Sequence, residues 1–488
     1  MNDRPLHDPE AFREAAHRLV DRLADHLDAS LRGAVPARPD ATPLVRRAEW
    51  RLPGADGSDT DESALELLER AITQAHHIHS PHSVGHQVSP PVPIAVLADF
   101  VASFLNNSSA IFDMGPVATS MEVELVDWMG QQLDFPNSRG GALVNGGSIG
   151  NLTAMLAIRQ AKTAGDAWAD GTDGRRYCVL SSAQTHYCVR RAVQILGFGH
   201  DGLIEVPVDR EFRLDSDQLE DALERAHSMG RTPLAVVGSA GSTSTGAIDP
   251  LDRIADFCDR HDLWFHVDGA HGASFVLSER ERKALSGIER ADSVVWDAHK
   301  TMLVSSLCTG VLFRDAGHLD RAFAQKAEYL FQPDPDSELT LDLGRHTIEC
   351  TKPWLGLKLF TVLRSPGAEA IARYLENCCD TVRGFADEVD RCEDFETAHS
   401  PDLNIFCFRH RPVGLDGSAL DAHQDEIRTA VIARTGGFLT RTALEDPVTG
   451  DTRVWLRITV LHPETTLATL LALLEDLRKE GAARALRS

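Results

Sequence analysis

An acidic residue and a lysine stand at the ends of two apolar runs, where their side chains could act together. Asp268 follows the run Leu263–Val267 and precedes several small residues. Lys300 follows the run Ser293–Trp296 after a short polar step. Short apolar runs of this kind are typical of buried strands. We therefore expect the carboxylate and the amine to project from strand ends toward one cleft.

This pair of groups suits the chemistry of one cofactor. A lysine in a desolvated pocket can have a lowered pKa and can form an imine with an aldehyde. An aspartate that faces a pyridine nitrogen keeps that nitrogen protonated and makes the ring an electron sink. Pyridoxal phosphate (PLP) needs both groups. The alternative is a buried ion pair between Asp268 and Lys300, since ion pairs also perturb titration.

A glycine-rich turn offers a site for the phosphate of such a cofactor. Asn145–Asn151 lies between the apolar run Ala142–Val144 and the helical pattern Leu152–Lys162. The N-terminus of a helix presents free backbone N–H groups to a phosphate, and Ser148 could add its hydroxyl. A plain tight turn that caps a helix is the alternative.

The same turn also matches the nucleophile elbow of serine hydrolases. Gly146–Gly150 has the Gly-x-Ser-x-Gly spacing in a strand–turn–helix context, with Ser148 as the nucleophile. Asp268 and either His271 or His299 follow in the order that such a triad requires. The hydrolase hypothesis leaves the lysine without a role.

Two further segments follow predicted strands. His186, in Ser182–Tyr187, opens a helix and could lie flat over an aromatic cofactor ring. Local packing of a histidine at a helix N-terminus is the alternative. Gly241–Gly246 places small hydroxyl residues after another strand, although it could also be an ordinary polar loop.

The middle of the chain alternates between short apolar runs and helical patterns. The runs predicted to be buried strands are Tyr177–Ser181, Leu203–Val208, Leu234–Val237, Leu263–Val267, Ser293–Trp296 and Thr309–Phe313. One helical pattern begins after Asp249, which we expect to cap it, with Pro250 at its first position. This alternation predicts a mostly parallel sheet with helices on both faces, in which ligands bind at the carboxyl ends of strands.

Composition along the chain predicts three parts. Residues 1–88 form an N-terminal helical arm and linker, because an amphipathic pattern in 1–35 precedes a stretch rich in Pro, Asp and Gly. Residues 89–365 form the large α/β domain that would bind the cofactor. Residues 366–488 mix helical patterns with short strands, which predicts a smaller C-terminal α+β domain.

Charge and composition exclude several functions. Among 488 residues, 49 are Lys or Arg and 73 are Asp or Glu, which gives a net charge of −24. Such a surface repels phosphate backbones and anionic lipid, so we expect neither nucleic acid nor membrane as a partner. The sequence has no apolar signal-peptide core and no run near the roughly 20 apolar residues of a membrane span. Its nine scattered cysteines suit reduced thiols, so we expect a cytoplasmic protein.

Ordered motifs along most of the chain resemble one family. Leu263–Lys300 reads LWFHVDGAHGASFVLSERERKALSGIERADSVVWDAHK. It is followed by Tyr329–Asp334, Asp342–Gly344, Ile348–Cys350 and Lys358-Leu359. In this order the motifs resemble the group II PLP-dependent amino-acid decarboxylases, above all glutamate decarboxylase and cysteine sulfinate decarboxylase. The resemblance covers the chain from Gly85 to His462.

The resemblance implies a fold and an assembly. The fold is α/β, of PLP fold type I (aspartate aminotransferase-like), with a mostly parallel central sheet and a smaller C-terminal α+β domain. The assembly is a homodimer whose active site lies at the subunit interface, with the N-terminal arm wrapped on the partner.

The resemblance also implies roles for individual residues. Those implied to bind the cofactor are Gly147, Ser148, His186, Asp268, Ala270, His299 and Lys300. Lys300 carries the PLP imine, Asp268 pairs with the pyridine nitrogen, and His186 stacks on the ring. Gly147, Ser148 and His299 help hold the phosphate, and Ala270 lies against the other ring face.

Three more residues receive roles in the same way. Tyr329 belongs to a mobile loop and protonates the carbon from which CO₂ has left. Arg457 contacts a substrate carboxylate. Gln87 matches a residue that family members with acidic substrates use near the substrate.

The implied activity is PLP-dependent decarboxylation of a small or acidic L-amino acid to the amine and CO₂, through the Lys300 imine and a quinonoid intermediate. Two other outcomes on the same cofactor stay open: decarboxylation coupled to oxidative deamination to an aldehyde, and elimination. A serine hydrolase that uses Ser148 is the alternative from another class. An inactive family member is a further one, which the intact pair of Asp268 and Lys300 disfavours.

The chain departs from the family pattern at several positions. Asp297-Ala298 stands where the family usually has Asn-Pro. Since a carboxylate repels a phosphate dianion, we expect Asp297 to point away or to accept backbone hydrogen bonds. Gly269, His271 and His86 also replace the usual residues, which leaves the identity of the substrate open.

A histidine cluster precedes the large domain. Its members are His76, His77, His79, His82 and His86. Imidazole is a common metal ligand, but this spacing fits no familiar zinc pattern and no cysteine joins it. We expect no metal site, and we interpret the cluster as a polar entrance to the active site.

Overall fold

The computed structural model describes residues 7–37, 50, 64–172, 174–323 and 342–485. The strands are β1 (Gly140–Val144), β2 (Tyr177–Ser182), β3 (Leu203–Val206), β4 (Thr232–Ser239), β5 (Trp264–Asp268), β6 (Ser293–Asp297), β7 (Thr309–Phe313), β8 (Phe395–Thr397), β9 (Ile405–His410), β10 (Thr440–Glu445) and β11 (Thr452–Thr459). The helices are α1 (Pro9–Leu31), α2 (Ala64–Gln74), α3 (Pro93–Leu105), α4 (Pro116–Gln132), α5 (Gly147–Lys162), α6 (Ala167–Asp170), α7 (Tyr187–Ile195), α8 (Leu219–Ser228), α9 (Leu251–His261), α10 (Ala298–Thr301), α11 (Gly317–Ala322), α12 (Gly356–Val362), α13 (Ala368–Asp390), α14 (Gly417–Thr435) and α15 (Leu467–Ala485).

The large sheet has seven strands in the order β1-β7-β6-β5-β4-β2-β3. The strands from β6 to β3 run parallel, and β7 pairs antiparallel with β6 and β1. The six strands predicted from apolar runs are β2 to β7. The prediction of a mostly parallel central sheet is therefore confirmed.

Helices cover both faces of this sheet. Val236 and Val237 of β4 point to opposite faces, yet both are completely buried. Val236 belongs to the core cluster that contains Ala222 of α8 and Ile254 of α9. Val237 belongs to the cluster that contains Ala154 of α5. Burial on both faces explains why the strands are continuous apolar runs in the sequence.

The predicted cap of α9 is wrong. The helix begins at Leu251 after Pro250, and no side chain caps it. The carboxylate of Asp249 instead accepts hydrogen bonds from the backbone N–H groups of Leu214 and Ser239, both at 2.7 Å. Burial raises the pKa of Asp249 to about 7. These two N–H groups are buried and need an acceptor within the protein, whereas the N–H groups at a solvent-accessible helix end can bind water.

The smaller sheet is antiparallel, in the order β10-β11-β9-β8. It packs against α13, where the ring of Phe385 lies 5.3 Å from that of Phe408 in β9. The amphipathic helix predicted within residues 1–35 is α1. The predicted linker falls mainly outside the described residues, and the domain boundaries at 88 and 365 stay a prediction. In the part of the chain that the structure describes, no helix is long and apolar enough to cross a bilayer.

Candidate active site

A cavity of about 320 Å³ lies at the carboxyl ends of β2, β4, β5 and β6. Its walls contain every residue that the sequence implied for cofactor binding, namely Gly147, Ser148, His186, Asp268, Ala270, His299 and Lys300. These residues come from four separate segments, and the topology of the sheet brings them together. Carboxyl ends of parallel strands are where ligands bind in such sheets.

Lys300 lies on α10, directly after β6, and reaches into the cavity. Its Nζ lies 3.1 Å from Oδ2 of Asp297. Burial by itself lowers the pKa of the Lys300 ammonium, but the carboxylates of Asp297 and Asp268 outweigh burial, so the pKa is raised. The expected lowering of this pKa is therefore wrong. Lys300 does form an ion pair, but with Asp297 and not with Asp268 as we considered.

Asp268 ends β5, the strand beside β6. It is 9% exposed, and its Oδ1 accepts a hydrogen bond from the backbone N–H of Ala270 at 3.2 Å. A largely buried carboxylate that faces the cavity beside a lysine is the arrangement that a protonated pyridine nitrogen requires.

The N-terminus of α5 forms the end of the cavity that suits a phosphate. Gly146 precedes the helix with φ 92°, and no side chain caps the first N–H groups. Such N–H groups have no partner within the helix, and they attract anions. A Cβ atom on Gly147 would lie 2.9 Å from Asp297 Oδ2 and 3.3 Å from the Cβ of Ala270. The space beside Gly147 therefore depends on the absence of a side chain, and the residues present fit the cofactor.

Asp297 does not behave as expected. It neither points away from the turn nor accepts backbone hydrogen bonds there. Its Oδ1 accepts a hydrogen bond from the hydroxyl of Thr309 at 2.6 Å, and its Oδ2 pairs with Lys300. The carboxylate is almost completely buried, so the strong donors around it hold it beside Gly147.

A buried hydrogen-bond chain holds the turn from behind. Nδ2 of Asn151 donates to the carbonyl of Gly147 at 2.9 Å, so its Oδ1 accepts from Nε2–H of His266 at 2.9 Å. Nδ1 of His266 then accepts from the hydroxyl of Ser293 at 2.8 Å. Burial lowers the pKa of His266 to about 4, so the ring is neutral and this direction is fixed. Sequence reasoning missed the chain because its members lie far apart in sequence.

His186 lines the cavity from the start of α7. It is the N-cap residue of α7, where its Nδ1 accepts a hydrogen bond from the backbone N–H of Cys188 at 3.3 Å. Burial lowers its pKa, so the imidazole that lines the cavity is neutral. A neutral flat ring can lie against an aromatic cofactor without adding charge.

The geometry gives no support to the serine hydrolase. Nε2 of His271 lies 2.7 Å from Oδ1 of Asn404, and Nδ1 of His299 lies 3.0 Å from the carbonyl oxygen and 3.3 Å from the backbone nitrogen of Cys308. Both histidines are thus turned toward other partners and not toward Ser148. A triad needs a nucleophile and a base within hydrogen-bond reach.

Arg457 and Gln87 lie outside the cavity wall but close to each other in the fold. Nη1 of Arg457 donates to the carbonyl of Gly85 and to the hydroxyl of Thr440, both at 3.3 Å. Within the described residues, Nε and Nη2 of Arg457 and Nε2 of Gln87 are buried and have no hydrogen-bond partner. The charge of Arg457 also acts on His271, which lines the cavity.

Two other sequence expectations have different outcomes. Tyr329 lies outside the described residues. The histidine cluster defined above lies outside the cavity wall, where Nε2 of His79 donates to the carbonyl of Pro91 at 3.2 Å and His462 contacts the carbonyl of His79 at 2.9 Å. Within the described ranges, no group of three or more His, Cys, Asp or Glu residues could hold a metal ion.

Sequence reasoning missed some residues of the cavity wall. They include Cys188, Ser239 and Leu307. Cys188 could have been found, since it is the second residue of the helix that His186 opens, and Ser239 lies two residues after the predicted strand Leu234–Val237. No signal in the sequence places Leu307 at the cavity.

Comparisons with known proteins identify the family of this chain. The family described as "Pyridoxal-dependent decarboxylase conserved domain" matches residues 56–411. "Aromatic-L-amino-acid decarboxylase" of Bacillus atrophaeus is 28% identical over 96% of this chain and 95% of its own length. "Cysteine sulfinic acid decarboxylase" of Mus musculus is 33% identical over 73% of each chain.

The fold agrees as well. The solved structure of Oryza sativa TDC with PLP and tryptamine has a TM-score of 0.87 and 25% identity, and the match covers 99% of both chains. This likeness confirms the predicted α/β fold of PLP enzymes, with its large mostly parallel sheet and smaller C-terminal sheet. The chain belongs to the pyridoxal-dependent decarboxylase family and is a PLP-dependent amino-acid decarboxylase.

Proposed function

We propose that this enzyme removes the carboxylate of a small or acidic L-amino acid as CO₂ and releases the amine, with its cofactor in the cavity around Lys300. When bound, pyridoxal phosphate supplies the electron sink for the electron pair of the broken bond. The observation that best supports this site is the convergence of Lys300 and Asp268, from neighbouring strand ends, on one cavity.

Five residues of the cavity wall then have a task toward the cofactor. Asp268 places its negative charge where it keeps a proton on the ring nitrogen. His186 covers one face of the ring as a neutral imidazole, and the methyl group of Ala270 packs against the other face. Gly147 and Ser148 offer backbone N–H groups to the phosphate.

Lys300 binds the cofactor aldehyde through Nζ. To do so it must leave Asp297 and lose a proton, because only the neutral amine is a nucleophile. Burial lowers the pKa of Lys300, but Asp297 and Asp268 together raise it by more, so these two carboxylates favour the ammonium form.

The proposal for the substrate rests on unpaired donors. A buried donor without a partner is costly, so Nε and Nη2 of Arg457 and Nε2 of Gln87 are expected to bind a ligand oxygen. Arginine binds carboxylates with a planar pair of donors. Donors on two segments that meet at Gly85 suit a substrate rich in carboxylate oxygens.

We expect acidic amino acids to be better substrates than their amides. Since a hydrogen bond to a charged group contributes about 1.5–3 kcal/mol, kcat/KM for glutamate, aspartate or cysteine sulfinate should exceed that of the matched neutral amide about tenfold or more. CO₂ release across such pairs and aromatic amino acids measures this. Preferred turnover of aromatic substrates, with none of the acidic ones accepted, would contradict the proposal.

A variant of Arg457 shows which carboxylate this residue binds. Arg457→Lys keeps the charge but removes the planar pair of donors. If Arg457 binds the carboxylate common to all amino acids, acid and amide should lose kcat/KM equally. If it binds the side-chain carboxylate, the acid alone should lose.

We propose, from the family resemblance, that Tyr329 delivers a proton to the substrate carbon after CO₂ has left. A tyrosine hydroxyl is a competent acid toward a carbanion. Tyr329→Phe should keep cofactor binding and CO₂ release, but part of the product should become aldehyde and ammonia. The ratio of amine to aldehyde measures this, and an unchanged amine yield and rate would assign the proton to another group.

The homodimer is also part of this proposal. Helix α3 exposes a row of large apolar side chains, including Leu97, Phe100 and Phe104, the last of them 67% exposed. The ring of Phe12 in α1 lies 5.4 Å from that of Phe104, so the arm extends the same apolar surface. Surfaces of this kind mark protein interfaces, and a second copy of the chain is the proposed occupant.

We also propose a cytoplasmic location. All nine cysteines lie in the described residues as free thiols, and seven of them are buried. Free thiols are the usual state in a reducing compartment.

A further inference from the structure

The carboxylate of Asp297 stands on the side of the cavity where a phosphate would bind. Its Oδ2 and Oδ1 lie 2.9 and 3.2 Å from the place of a Cβ atom on Gly147, the first residue of α5. Its side chain is 2% exposed, so water does not screen its charge. A dianionic phosphate at this helix end would therefore have a buried carboxylate as its neighbour.

Lys300 is the cation that pairs with Asp297. Nζ of Lys300 lies 3.1 Å from Oδ2 of Asp297. An imine bond at Nζ would draw Nζ away from this carboxylate, while a phosphate at α5 would add negative charge. Two unbalanced anions in one buried site are strongly unfavourable, and such pairs hold a shared proton instead.

We propose that cofactor loading takes up one proton at Asp297, whose protonated carboxyl then donates a hydrogen bond to the phosphate. The inference rests on the proposed cofactor site around Lys300. It makes Asp297 a residue that sets the affinity for the phosphate of the cofactor and links that affinity to pH.

Other titratable groups interact with Asp297. They are His186 and Cys188 of α7, His271 after β5, Cys308 before β7, and His299 and Lys300 of α10. Asp268 acts on the same lysine. Burial lowers the pKa of His186 and His271, the latter to about 3, and both stay neutral above pH 7. Burial raises the pKa of Cys188 and Cys308 to about 12, so both stay protonated below pH 9.

The sign of the pH dependence follows. Because the proposal has Asp297 gain a proton when phosphate binds, the affinity for the phosphate should fall as pH rises. Lys300 acts in the opposite direction, because its ammonium must lose a proton to bind the aldehyde. Pyridoxal has the aldehyde but no phosphate, so the pH dependence of its binding reports the effect of Lys300 alone.

The experiment therefore compares two ligands. Full-length enzyme is equilibrated by dialysis with PLP or with pyridoxal between pH 7 and 9, where the phosphate itself is already dianionic, since its second pKa is about 6. In the ratio of the two dissociation constants, the contribution of Lys300 to the pH dependence cancels, and the contribution of the phosphate remains. One linked proton predicts that the advantage of PLP over pyridoxal falls about tenfold per pH unit in the wild type.

Asp297→Asn should remove this dependence. The amide cannot repel the phosphate and can donate to it, so at pH 9 the advantage of PLP should exceed that of the wild type by about tenfold or more. Glu349→Gln is the matched control, because Glu349 accepts a hydrogen bond from Asn145 of the same turn at 2.6 Å. This control should keep the wild-type slope.

Two results would overturn the inference. A wild-type ratio that does not change with pH would show that no proton is linked to the phosphate. A slope that persists in Asp297→Asn would assign the proton to another group, such as His299. If Asp297→Asn does not fold, Thr309→Val is the second variant, because it removes the hydroxyl that donates to Oδ1 of Asp297. In this variant the advantage of PLP over pyridoxal should begin to fall at a higher pH than in the wild type. An unchanged pH dependence would likewise contradict the proposal.

The outcome is separable from that of the proposed site. If the cofactor is attached to a lysine other than Lys300, the proposed site fails. If the cofactor is attached to Lys300 and the ratio is flat, only the role of Asp297 fails.

Discussion

Lys300→Ala should abolish turnover and covalent attachment of the cofactor. Nζ of Lys300 reaches the cavity that holds every other expected cofactor residue, and no other lysine is among the residues of its wall as described. Without the amine, the cofactor can bind only through the phosphate, ring and Asp268 contacts. We expect CO₂ release to fall to background and the visible absorption of the attached cofactor to disappear.

The control for this variant is Lys283→Ala. Lys283 is an exposed lysine in the same part of the fold, so its replacement makes the same chemical change away from the cavity. It should keep both absorption and activity. Turnover by Lys300→Ala at more than a small fraction of the wild-type rate would contradict the role of Lys300.

Asp268→Asn should retain the cofactor but lose most activity. The amide has the size of the carboxylate but no charge, so the ring nitrogen loses the group that keeps it protonated. Removal of one aligned electrostatic group typically lowers kcat by about 10²–10³-fold, and we expect a loss at or above this range because the charge acts on the electron sink itself. The Lys300 bond and the N–H groups of α5 should keep the cofactor bound more weakly.

Two measurements on Asp268→Asn separate chemistry from binding. Cofactor content per subunit should stay near that of the wild type at saturating PLP, while kcat falls. Asp262→Asn, which changes an exposed carboxylate paired with Lys162, should leave both unchanged. Near-normal kcat in Asp268→Asn would remove Asp268 from the proposed role.

Most of the large sheet could be predicted from the sequence because it is buried on both faces. The middle positions of strands such as β4 and β6 are then apolar without alternation, and such runs are visible without a structure. The predicted cap of α9 was wrong for a related reason. The sequence shows Asp249 next to a helix, but it does not show the two buried N–H groups that bind its carboxylate.

Residues of the cavity wall could be predicted where their functional groups are distinctive. Lys300, Asp268 and the turn at Gly147 stand at strand ends and carry groups that few other functions need. The partner of Lys300 was not predictable, since a carboxylate three residues before a lysine can point in several directions. The hydrogen bonds through Asn151 and His266 were not predicted, because these two residues lie 115 positions apart in the sequence.

The most direct test of the account is to find the lysine that carries the cofactor. Borohydride reduction of the holoenzyme fixes the cofactor to its lysine, and peptide mapping by mass spectrometry then identifies the residue. We expect one label per subunit, on Lys300, with the peptide around Lys352 or Lys358 unlabelled. A label on any other lysine, or none, would contradict the placement of the cofactor in this cavity.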